Sequence, residues 1–68
     1  MKDCCWVIKV TYLDNGEVNF NEGFWKFEKC MASIKNKINP SDMKIVNDWT
    51  IIDLDEGIQY EATLVDIF

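Results

Sequence analysis

Asp53, Asp55 and Glu56, just ahead of Gly57, are the densest run of side chains able to do chemistry in this 68-residue chain. Carboxylates so spaced can hold a divalent cation, and Asp53-x-Asp55-Glu56-Gly57 shares part of the pattern of a calcium loop. The twelve-residue ligand spacing and the flanking helices of such a loop are missing, so no metal is expected. Cys4, Cys5 and Cys30 lack the paired spacing of structural zinc. A nucleophilic thiol wants a cationic or polar partner, and all three cysteines stand in apolar contexts. The chain has no histidine, which removes imidazole base chemistry and the commonest metal ligand. Ser33 and Ser41 have no base nearby in sequence, and there is no phosphate-cradling glycine loop. The expectation is therefore no enzyme, no cofactor, no metal and no catalytic residue.

What remains is charge and apolar surface. The net charge is −5, unevenly placed. Residues 1–40 hold six Lys and five acids; residues 41–68 hold one Lys and seven acids. No positive stripe exists for direct nucleic-acid binding, and the acidic half would repel phosphate. That half favours a basic partner, such as a nucleic-acid-binding protein. Acids in rows can also imitate nucleic-acid phosphates, at roughly 6.6 Å between strand positions i and i+2, but only Asp53 and Asp55 have that relation. Plain solubility is the competing reason for the charge.

These residues must be positioned by a single small domain, residues 1–68. At this size folding hides only roughly 60% of the unfolded chain's surface. Three cysteines cannot all pair internally. Cys30 can meet Cys4 or Cys5, but free thiols in a reducing cytosol are expected. Met1 to Asp3 leads into strand-like residues, with no signal-like apolar helix and no run of transmembrane length, so no membrane and a cytoplasmic setting are expected. Stability then needs association, or close packing by four Phe, three Trp and two Tyr.

Phe24, Phe27, Met31, Ile34 and Ile38 recur at helical spacing, which predicts one helix over 24–38, capped by Asn21 and ended by Asn39-Pro40. Strand patterns lie on both sides. Cys4 to Leu13 alternates, with Trp6, Ile8, Val10 and Tyr12 on one face. Asp14-Asn15-Gly16 is a turn. A two-residue loop would place Val18 and Phe20 opposite the Trp6 face; a three-residue loop with Gly16 left-handed keeps the large apolar groups together and is the expectation. Met43 to Val46 can start a strand that Asn47-Asp48 interrupts. Trp49 to Leu54 and Ile58 to Phe68 form the last hairpin, with a three-residue loop pairing Leu54 with Ile58. Leu13-Asp14-Asn15-Gly16 and Leu54-Asp55-Glu56-Gly57 are alike locally.

The expected fold is α+β: β-β-α-β-β, a four-stranded antiparallel sheet with one helix packed on one face. The covered face should carry Trp6, Ile8, Val10, Tyr12, Val18, Phe20, Ile52, Leu54, Ile58, Tyr60, Ala62 and Leu64. The opposite face should carry Trp49, Ile51, Val65 and Ile67 beside Asp53 and Glu61, an apolar patch rimmed by acids. Trp25 lies beside the helix stripe. The last strand can also be a sheet edge open to another chain.

The short single domain, the Asp/Glu-heavy segment Asp48 to Asp66 and the absence of a catalytic set resemble small acidic proteins encoded by bacterial viruses, including inhibitors of host defence nucleases of the anti-CRISPR type. The resemblance implies a viral protein acting in the host cytoplasm, bound stoichiometrically to a basic groove or surface of a large target, without catalysis. No site residue is carried over from it. Read from the residues, the chain is a protein-binding module, an inhibitor or regulator steered by Asp53, Asp55, Glu56 and Glu61 and anchored by Trp49, Ile51, Val65, Ile67 and Trp25. The alternative is a structural protein that forms a homodimer or larger homo-oligomer through the uncovered face.

Overall fold

A computed structural model describes residues 3–67, apart from the side chains of Asp3 and Ile67. In chain order it holds β1 (Asp3–Tyr12), β2 (Val18–Phe24), α1 (Phe27–Asn36), a 3-10 turn (Pro40–Asp42), β3 (Met43–Asn47), β4 (Thr50–Asp53) and β5 (Ile58–Ile67). The strands form one antiparallel sheet in the order β2-β1-β5-β4-β3, with α1 on one face. The α+β class and the single covering helix are as expected, but the sheet has five strands where four were expected. The difference lies at Asn47. Its Oδ1 accepts the Trp49 N–H at 3.0 Å, and this side-chain turn folds β3 back onto β4.

Side chains reaching two residues ahead hold the other turns as well. Asn15 Oδ1 accepts the Glu17 N–H at 2.8 Å, Asn39 Oδ1 the Ser41 N–H at 3.2 Å, and Asp53 Oδ1 the Asp55 N–H at 3.0 Å. Both long hairpins have four-residue loops. Tyr12 bonds across to Glu17, leaving Leu13–Gly16, and Asp53 pairs with Ile58, leaving Leu54–Gly57. Gly16 and Gly57 end them with φ of 74° and 67°, angles at which a side chain would be strained.

The extra loop residue reverses faces, because a one-residue slip turns a strand over. Val18 pairs with Thr11 and Phe20 with Lys9, so both point away from the helix, where the two-residue reading of the loop would have put them. A bulge in the β1–β2 ladder between Val7 and Lys9 then restores the phase and places Phe24 inward opposite Trp6. In the second hairpin Ile51 pairs with Tyr60 and faces the helix, Ile52 faces away, and Leu54 sits in the loop.

The helix is shorter than its apolar stripe. Phe24 ends β2 and Ile38 follows the helix, so α1 spans ten residues, begins at Lys26 without a side-chain cap, and is not capped by Asn21. Phe24 still reaches the core from the sheet, and Ile38 is buried beyond a last turn tightened by the Lys37 N–H to the Ile34 carbonyl. The core joins Ile8 and Val10 of β1, Cys30, Met31 and Ile34 of α1, Ile51 and Ala62. Trp6 and Phe27 close one end of it, ring centroids 4.9 Å apart and edge to face. Leu64 has the inward phase but is exposed.

One helix about 10 Å wide cannot cover five strands at about 4.8 Å each. The molecule is a slab of 41 × 24 × 17 Å, and its radius of gyration of 12.1 Å exceeds the roughly 10.9 Å of a rounded domain of this length. Beside α1, over β3 and β4, the slab leaves an open groove of about 470 Å³ lined by Phe27, Met31, Ile45 and Ile51 and rimmed by Glu28, Lys35 and Asp48.

Candidate functional site

The pairing of β1 with β5 decides where the loops go. Tyr12 lies opposite Ile58, so the two four-residue loops emerge side by side at one end of the sheet. The Leu13 N–H donates to the Gly57 carbonyl at 3.0 Å and ties them together. The Leu54 N–H donates to the Asp42 carbonyl at 2.9 Å and draws in the turn that follows the helix. This end gathers Asp14, Glu17, Asp42, Asp53, Asp55 and Glu56, and none of its segments carries a lysine. Lys44 on β3, two residues past Asp42, is the closest lysine in sequence, and Lys37 turns its ammonium to Glu22 at 2.8 Å. Six carboxylates sit here, net −6, and the other seven lysines-to-six-acids balance of the chain is +1, which together give −5. All of the excess charge is thus at one end. Between the carboxylates, Leu13 and Leu54 are 49% and 60% exposed.

Asp53 has an internal role. It is 5% exposed, and its Oδ1 also accepts the Glu56 N–H at 3.3 Å, so it holds the loop that displays Asp55 and Glu56. Two shifted groups report the surroundings. The Tyr60 hydroxyl is pushed above its usual range by burial and then by the Asp53 charge, with Lys37 opposing. The Glu22 carboxyl is held below its usual range by the hydrogen bond and charge of Lys37.

The site residues expected from sequence are scattered. Asp55 and Glu56 stand exposed on the loop. Glu61 is half-buried on the helix-free face, opposite Lys9 and Thr50. Val65 lies farther along that face, opposite Cys5, and Trp49 is in the β3–β4 turn. Ile51 is 1% exposed in the core, so it cannot belong to an outer patch; its inward phase follows from the four-residue loop. The Ile67 side chain is outside the described residues. Trp25 is 72% exposed in the β2–α1 connection, away from the others. Among the described residues, the expected patch of Trp49, Ile51 and Val65 beside Asp53 is therefore not assembled. Down its middle strands the helix-free face carries Lys9, Thr11, Gln59, Glu61 and Thr63, and Val18 and Phe20 stand exposed at its β2 edge.

Sequence reasoning missed Leu13, Asp14, Glu17, Asp42 and Leu54 as neighbours. The likeness of the two Leu-Asp-x-Gly loops was visible, but nothing local reveals that β1 and β5 pair and set them together.

The described residues include no cluster of three or more His, Cys, Asp or Glu side chains placed to hold a metal. Cys5 and Cys30 are in no disulfide. Cys4 is exposed and donates to Asp66 Oδ1 at 3.3 Å, whereas Cys5 and Cys30 are buried, with the sheet between them. Burial, and then Glu22, pushes the Cys30 thiol above its usual range, the reverse of an activated nucleophile. Among the described residues no helix is long and apolar enough to cross a membrane. Compared with known proteins, the chain matches no family model, no curated protein and no solved structure.

Proposed function

We propose that this chain is a non-enzymatic protein-binding module that docks its carboxylate-rich end onto a basic surface or groove of a larger protein, as a stoichiometric inhibitor or regulator. The observation that carries the reading is the tying of the two loops by the Leu13–Gly57 hydrogen bond, which fixes Asp14, Asp55 and Glu56 around two exposed leucines. Fixed carboxylates steer a basic partner from a distance and reject an acidic one. Leucines among them offer apolar contact at the centre of the patch, the part of an interface where most binding energy resides. A nucleic-acid-binding protein has the basic groove this end would fit. Such a role sets the chain in the cytoplasm, of the host cell if it is viral, and the anti-CRISPR type of inhibitor is one form it takes.

The test is comparative capture from the native host with three tagged forms: the parent chain, Asp55→Lys with Glu56→Lys, and Leu13→Ala with Leu54→Ala. A genuine target is retained by the parent, lost on charge reversal, and weakened about tenfold or more by the leucine pair. Its association rate falls steeply between low and physiological salt. A target retained equally by all three forms would show that this end is not the binding surface.

A further inference from the structure

We propose that a second copy of this chain adds to the free edge of β5, pairing antiparallel about Val65. β5 is a central strand for only part of its length. β4 pairs with it from Ile58 to Glu61, and the Ala62 N–H donates to the Trp49 carbonyl at 2.9 Å. Beyond that point, among the described residues, no strand lies on this side of β5, while β1 continues to pair along the other side as far as Ile67. Thr63 to Ile67 is thus an edge that begins inside the sheet.

Backbone direction fixes which groups are available. Along a strand, successive N–H and C=O pairs point to alternate neighbours. Ala62 points toward β4, so Leu64 and Asp66 also point to that side, and Thr63 and Val65 point to β1. A twofold axis through Val65 sets Leu64 of each copy opposite Asp66 of the other. Both residues then exchange N–H and C=O, giving four new backbone hydrogen bonds with no change in either fold. Both helices end up on the same face of a continuous sheet.

The occupant is a second copy for three reasons. The stretch is complementary to itself in this register, so one segment supplies both donors and acceptors. Among the described residues it is also the edge left without a bulge in its ladder. The outer strands β2 and β3 each belong to a ladder interrupted by a bulge, and β3 carries Lys44, whereas β1 and β5 pair without interruption over ten residues. Charge agrees in the main, although each copy brings Asp66 to the seam. Ile58 is seven residues from Val65, about 23 Å at about 3.3 Å per residue. Pairing about Val65 therefore sets the two carboxylate-rich ends about 46 Å apart, several times the Debye length of about 8 Å at physiological salt. A pair of copies meeting at those ends would instead bring net −6 against net −6. Because so short a strand pairing buries less than the roughly 800 Å² per partner of a standard interface, the dimer is weak and needs concentrated protein. The proposal stands apart from the basic partner proposed above, since it uses the opposite end of β5.

Sedimentation of the full chain at about 10 µM and about 1 mM, read with amide hydrogen exchange, tests it. The expected result is a monomer at the low concentration and a mass approaching twofold at the high one. Exchange at Leu64 and Asp66 should slow severalfold with concentration, with Thr63 and Val65 unchanged. Leu64→Pro removes an N–H that faces away from β1, so it should remain folded and monomeric throughout. If that variant loses its β-sheet circular dichroism, Leu64→Lys keeps the backbone donor and should likewise abolish the dimer. A monomer at about 1 mM, a dimer unaffected by the folded variant, or protection rising at Val18 and Phe20 instead would overturn the proposal.

Discussion

Replacing Asp53 separates the two contributions of this residue, its charge and its acceptor oxygen. Asp53→Ala deletes the Oδ1 that accepts the Asp55 and Glu56 N–H groups at 3.0 and 3.3 Å, at a position 5% exposed. Each lost bond costs about 1 kcal/mol, below the roughly 1.5–3 kcal/mol of a bond to a charged group, since water at the loop tip re-solvates part of each donor. The expected loss is about 2 kcal/mol. Asp53→Asn keeps an oxygen in place and removes one charge from a crowd of carboxylates, so it should cost only about 0.5 kcal/mol. Total stability for a chain of this size is about 3–10 kcal/mol, so the first loss is a large share of it. Urea unfolding followed by tryptophan fluorescence measures both. With a slope of about 1 kcal/mol per molar urea, the midpoint should fall by about 2 M for alanine and about 0.5 M for asparagine. Equal midpoints for the two variants would refute the assignment of Asp53 as the support of its loop. A parent less stable than the asparagine variant would show that repulsion outweighs the capping bonds.

Two further perturbations address the loops and the core. Gly57→Ala meets open space, so its cost is that of the left-handed backbone alone, about 1 kcal/mol; Gly57→Asn should recover much of it, and a cost well above this for alanine would mean that the loop has another conformation. The Tyr60 hydroxyl titrates higher in the folded chain than in the unfolded one. Its contribution to stability is complete below about pH 10 and is lost as pH rises through the folded value, so Tyr60→Phe should flatten alkaline unfolding above about pH 10 and leave neutral stability nearly unchanged. A parallel alkaline profile in parent and variant would assign that unfolding elsewhere.

Alternation alone placed Trp6, Ile8, Val10, Tyr12, Ile58, Tyr60 and Ala62 correctly, because each stands in an unbroken strand. It failed for Val18, Phe20, Ile51 and Ile52 for one reason. Their faces depend on loop length, and three-residue and four-residue loops ending in glycine look the same in sequence while giving opposite faces. Ile51-Ile52 offers an apolar group to either side, so the pattern could not correct the error. Phe24 and Ile38 extended the helix stripe by coincidence of spacing, since a strand end and a loop can point into a core as well as a helix can. The candidate site was legible only in pieces. Asp55 and Glu56 stood out as exposed acids, but their neighbours across the loops come from the other end of the chain.

That last relation sets how the protein must acquire its fold. The strand pair at the centre joins Tyr12 to Ile58, 46 positions apart, and Asp3 to Ile67, 64 apart. β5 is the latest of the five strands to leave the ribosome, yet it lies between β4, made just before it, and β1, made first. Until it arrives, β1–β2 and β3–β4 are two separate hairpins with no common sheet, and isolated hairpins are marginal in water. Folding is therefore a single late event that closes nearly the whole chain at once, with the high contact order of slow-folding proteins. In that interval β1 has no neighbour on its inner side, and the crowding of nascent copies becomes a determinant of yield.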